Sequence, residues 1–239
     1  MPGHDIWPGI TTTVEGSDTS SIVSPVRAVQ DPIRQDERVE QQDRLDSAVL
    51  AGGLAARYAQ PHRHYHTAEH VHQVLAVIDE LGSAPADELP LKLAAWFHDA
   101  IYAPGRDDNE ERSAFLAKDA LEMVGESPEL GDEVARLVRL TARHNPKRGD
   151  WTGAVLCDAD LRILGSTSND YASYAAAIRE EYALVPDDIF RPSRARILRQ
   201  FLARATVFHT PVGQKRWENA ARVNISREID HLEGAPEMS

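Results

Sequence analysis

The chain has 239 residues, enough for one domain or at most two small ones. Hydrophobic residues make up 42% and charged residues 27%, which fits a globular chain with a sizeable core and no membrane-spanning composition. The formal charge of −12 argues against duplex nucleic acid and anionic membranes as partners, since both require basic surface.

The first 35 residues are rich in Pro, Gly, Ser, Thr and Asp and carry no apolar period, so residues 1–35 are expected to form a disordered arm. The leading MPGHDIWPGITTTVEG has no basic stretch followed by an apolar one, so no secretory leader is expected. A single cysteine, Cys157, excludes an internal disulfide framework and fits a reducing, cytoplasmic setting. From residue 36 to 231 the pattern is helical. Helices are expected near 38–59, 67–82, 87–103, 109–124, 129–144, 151–165, 168–184 and 192–206, with a short one near 214–230. Val71, Val74, Leu75, Ile78 and Leu81 mark the core face of the second. Pro61, Gly82, Pro104-Gly105, Pro128, Pro146, Pro186, Pro192 and Pro211 read as breaks between helices. No segment alternates apolar and polar residues, so the expected class is all-α, with residues 232–239 as a flexible tail.

Three segments carry chemistry. The run LKLAAWFHDAIY (91–102) is apolar almost all round, so His98 and Asp99 are expected in the middle of a buried helix. A buried carboxylate is costly unless it is paired or bound to a metal. In RHYHTAEHV, His66 and His70 stand four apart and share one helical face, with His70 bordering the core. In CDADLRILG, Asp158 and Asp160 precede an apolar stretch; on their own they read as acids favoured at a helix start.

Together these segments resemble the HD superfamily of metal-dependent phosphohydrolases. The likeness runs from about residue 38 to 228 and is strongest to a bacterial subgroup with RxYHxxxH, WFHDAxY, DNEERSA, DADLxILG and IRxEY segments. The resemblance implies one divalent ion (Mn, Fe, Co, Ni, Zn or Mg) held by His70, His98, Asp99 and Asp160, with Asp158 as the alternate. It implies hydrolysis of a small phosphorylated substrate, such as a nucleotide, by metal-activated water. The fragment YHTAEH is also similar to the YHNxxH segment of cyclic-nucleotide phosphodiesterases, which makes His66 the candidate general acid. Asp99 or Glu110 would align the water, and Arg63, Arg112, His144 and Arg179 are candidate substrate-binding residues. Members with two metals place a histidine where this chain has Asn109, so a mononuclear centre is expected. Two other classes remain open: a di-iron oxygenase of the same superfamily, and a non-catalytic, metal-stabilised module that binds a nucleotide or a protein.

Overall fold

A computed structural model describes residues 32–82 and 85–234. Eleven α-helices and one 3₁₀ helix account for the regular structure of these residues, with no strand among them. The all-α expectation holds. None of these helices is long and apolar enough to cross a membrane.

In chain order the helices are α1 (Pro32–Ala51), α2 (Leu54–Tyr58), α3 (Ala68–Leu81), α4 (Pro85–Phe97), α5 (Asn109–Met123) and α6 (Pro128–Thr141). They continue as α7 (Trp151–Asp160), the 3₁₀ helix Leu161–Gly165, α8 (Ser168–Glu181), α9 (Asp187–Leu202), α10 (Pro211–Arg216) and α11 (Glu218–Glu233). Helix α1 starts inside the expected arm; the rest of that arm, 1–31, and tail residues 235–239 lie outside the described residues. Tail residues 232 and 233 belong to α11.

Several boundaries differ from the sequence expectation for identifiable reasons. The helix expected over 38–59 breaks at Gly52-Gly53. Gly53 takes φ 61°, and a Cβ on Gly52 would stand 2.8 Å from the Phe97 ring. Pro192 does not start a helix but lies inside α9, which begins at Asp187. As the sixth residue of that helix it withholds one intrahelical N–H, from the Asp188 carbonyl, and the helix nevertheless runs on to Leu202. Helix α4 stops at Phe97 rather than continuing to residue 103, so His98 and Asp99 do not lie mid-helix.

Two apolar clusters organise the packing. The first runs from Leu45 to Ala159 and joins α1 through α7 around fully buried Leu54, Phe97, Leu137 and Leu156. The second runs from Leu161 to Leu232 and joins the 3₁₀ helix to α8, α9 and α11. Val77 and Leu81 of α3 pack against both. Ala159 belongs to one cluster and Leu161 to the other, so Asp160 falls on the seam.

Candidate metal centre

The site is assembled from three helices. Helix α3 starts after Thr67 and buries Val71, Val74 and Ile78, the periodic face read from the sequence. His70 lies on the same side, 3% exposed, its ring against Tyr65. His98 follows the last turn of α4 and is 2% exposed. Its Nδ1 is 2.8 Å from the Ala95 carbonyl, so it is Nδ1–H that donates and Nε2 that presents a lone pair to the site. Asp160 is the last residue of α7.

Their functional atoms converge. The Nε2 atoms of His70 and His98 are 3.2 Å apart. Asp160 Oδ1 is 3.1 Å from the first and 3.6 Å from the second. Ligand bonds of about 2.1 Å place neighbouring ligand atoms roughly 3 Å apart, so this triad fits a single small cation. Asp99 Oδ2 is 2.9 Å from His98 Nε2 and 3.7 Å from His70 Nε2, beside the triad.

The charge balance also calls for a cation. Asp99 and Asp160 form ion pairs with histidines only, and no Lys or Arg among the described residues pairs with either. Burial disfavours a charged His98, yet Asp99 and Asp160 outweigh it and hold the ring's pKa well above its usual value. Burial likewise raises both carboxyls, but the neighbouring histidines, His98 foremost, prevail and hold them ionised, Asp160 well below the ordinary range. A divalent ion meets the same demand, and two imidazoles with carboxylates suit a borderline-hard one.

The other predicted residues fall into three groups. His66, Glu110 and His144 surround the cluster. His144 Nε2 is 2.7 Å from Asp160 Oδ2. Its backbone is left-handed, φ 45°, and its carbonyl accepts hydrogen bonds from Arg204 Nη1 and His209 Nε2. Burial pushes the Glu110 carboxyl up, and the Asp99 charge adds to that shift.

Arg63 and Asp158 are committed elsewhere. Arg63, 5% exposed, donates to the carbonyls of His66, Asp99 and Ala100. It ties the turn after α4 to the segment before α3, and those bonds hold its guanidinium against the backbone. Asp158 is fully buried and accepts the N–H groups of His209 and Thr210 at 2.7 and 2.8 Å. Asp160, not Asp158, therefore faces the two histidines. Cys157 is buried beside it as a small core residue.

Arg112 and Arg179 stand apart. Arg112 is exposed. Arg179 donates to Asp187 and to the carbonyls of Tyr182 and Val185. Asn109 is occupied with Ala103, accepting its N–H and donating to its carbonyl.

One residue with a central place was given no role from sequence. Glu181 Oε1 accepts the N–H groups of His64, Tyr65 and His66 at 2.8–2.9 Å. Its Oε2 accepts from His66 Nδ1 at 2.6 Å and from the Tyr102 hydroxyl at 2.8 Å. Burial alone would raise this carboxyl, but the His66 ring and the backbone N–H groups take it down to about 2. The readable signal was its phase: Tyr171, Ile178 and Glu181 lie on the buried side of α8, so an acid sits in a core position.

A cleft of about 680 Å³ reaches the cluster at His70 and Asp160 and extends past Tyr65, Arg162 and Tyr174. No protein-family model, curated protein or solved structure matches this chain.

Proposed function

We propose that the protein is a metal-dependent hydrolase of phosphate esters, working on a small phosphorylated substrate such as a nucleotide. The observation that carries this reading is the convergence of His70 Nε2, His98 Nε2 and Asp160 Oδ1 within 3.1–3.6 Å of one another, beside an open cleft. His70, His98 and Asp160 would hold the ion, with Asp99 as a fourth ligand. A bound divalent ion supplies Lewis acidity toward a phosphoryl oxygen and acidifies an attacking water.

The chain's own groups supply the rest. Donation from Nδ1 to Glu181 leaves His66 Nε2 to deliver a proton to the leaving oxygen. Glu181 and Tyr102 position that ring, and burial keeps water away from the carboxylate that orients it. Glu110, next to Asp99 and with its carboxyl raised by burial, accepts a proton from the attacking water.

A dinuclear oxygenase is the second reading, and the contact of His144 with Asp160 Oδ2 is what favours it. One experiment separates the two. The full chain is expected to contain about one divalent ion, lost in His98→Ala, and to hydrolyse p-nitrophenyl phosphate or its bis ester with Mn²⁺, Co²⁺ or Ni²⁺. His66→Asn should keep the ion and lose roughly 10²–10⁴-fold in kcat. Two irons per chain with an oxygen-sensitive absorbance select the oxygenase. A chain that takes up no metal even after reconstitution removes both readings.

A further inference from the structure

The second apolar cluster contains a cavity away from the metal centre. It has a volume of about 580 Å³ and lies between α8, α9 and α11. That size falls within the range of small-molecule sites, about 300–1,000 Å³. It exists because one side of α8 presents Ala172, Ala175 and Ala176 toward Phe190 of α9 and Leu232 of α11. The short side chains on the α8 wall leave room in front of Phe190 and Leu232, which are only 7% and 9% exposed.

Two polar features give the cavity a direction. Asn224 is 4% exposed and lines it. Its Nδ2 donates to the carbonyls of Leu164 and Ser166, which fixes the amide's orientation. No group of the described residues donates to its Oδ1, and that atom is not sealed off from solvent. An acceptor on a nearly buried residue is therefore left open to an incoming donor.

The second feature is cationic. Arg191 and Arg227 line the same cavity without a carboxylate partner among the described residues. Arg191 donates to the carbonyls of His231, Leu232 and Gly234, and Arg227 to Ser168 Oγ. The two acids of the lining are already engaged, Asp187 by Arg179 and Glu228 by Arg194 and Tyr171. On a chain of net charge −12, two arginines unopposed by carboxylates beside an apolar wall form a local reversal of sign.

We propose that this cavity is a second ligand site, for a small organic anion with an apolar body and one hydrogen-bond donor. The body packs on the α8 alanines and Phe190, the donor meets Asn224 Oδ1, and the anionic group meets the exposed Arg227, with the Arg191 charge, held on backbone carbonyls, behind it. The assignment does not depend on the metal centre or on any reaction there.

The probe is 1-anilinonaphthalene-8-sulfonate, which carries two aromatic systems, one N–H and one sulfonate. Fluorescence titration of the full chain is expected to show saturable binding at one site. Ala176→Phe fills the cavity and should weaken that binding by about tenfold or more. Arg227→Ala, an exposed change, should weaken it by about fivefold, yet leave binding of the uncharged N-phenyl-1-naphthylamine unaltered. Circular dichroism and the melting temperature establish that each variant is folded, and Ala172→Leu replaces Ala176→Phe if the larger ring disturbs the helix. Non-saturable fluorescence with wild type overturns the proposal. So does binding that stays the same in a folded, cavity-filled variant.

Discussion

Asp158 and Asp160 are two residues apart on α7, which turns their side chains about 200° from one another. One faces the start of α10, where it accepts two backbone N–H groups; the other faces the two histidines. Burial keeps the Asp158 carboxyl above its usual range, despite those donors. The substitutions should therefore separate. Asp160→Asn should abolish metal uptake and also lower the metal-free melting temperature, because it removes the charge that His70, His98 and His144 pair with. Asp158→Asn should keep the ion and cost about 1–3 kcal/mol, because an amide sets its own N–H groups against two buried donors or leaves them unmet. Elemental analysis and thermal unfolding of both variants check this. Loss of metal in Asp158→Asn, with retention in Asp160→Asn, would reverse the two roles.

At the scale of elements, the site is built from helix ends. His98 and Asp99 follow the end of α4, His144 follows the end of α6, and Asp160 closes α7. The C-terminal end of a helix carries partial negative charge, so these ends together favour a cation. Carbonyls just past two of these ends are covered by arginines distant in sequence: Arg63 on Asp99 and Ala100 beyond α4, and Arg204 on Arg143 and His144 beyond α6. Beyond α7 the chain tightens into the 3₁₀ helix, which closes on α11. A Cβ at Gly165 would stand 2.5 Å from Trp217 Cβ and 2.9 Å from the Trp217 carbonyl oxygen. Backbone cannot retreat as a flexible side chain can. Gly165→Ala should cost about 1–3 kcal/mol by overpacking, a fall of roughly 3–10 °C in Tm for a chain of this size. A melting temperature within a degree of wild type would mean that α11 is not held against this turn.

At the scale of the molecule, the described residues form two apolar clusters joined near Asp160 and clasped by Glu181. Glu181 comes from α8, on the second cluster, and grips the backbone of residues 64–66 just before α3. Its folded pKa of about 2 lies below the unfolded value of about 4.3. Its contribution is therefore complete above about pH 5 and is lost as the pH falls toward 2. Glu181→Gln should remove about 2 kcal/mol at pH 7, and the gap from wild type should close between about pH 5 and pH 2. Urea midpoints for the two proteins across that range test it; parallel curves would show that the clasp does not depend on ionisation.

The all-helical class, the α3 core face and the positions of His70 and His98 at the core were legible in the amino-acid order; the acid of α7 entered only through the resemblance, as Asp160 with Asp158 as its alternate. Apolar periodicity and the cost of burying acids and imidazoles act within short segments, where sequence reports them directly. Tertiary structure decided which aspartate of α7 faces the histidines, since either could be turned inward until α10 supplied backbone donors to Asp158. It decided that α4 ends before His98: the turn that follows is held by Arg63, some 35 residues away, on the carbonyls of Asp99 and Ala100. It also decided the place of Glu181, whose partners lie 79 to 117 residues earlier. Hydrogen bonds between segments so far apart leave no periodic trace in a sequence; they exist only once two apolar clusters have brought those segments together.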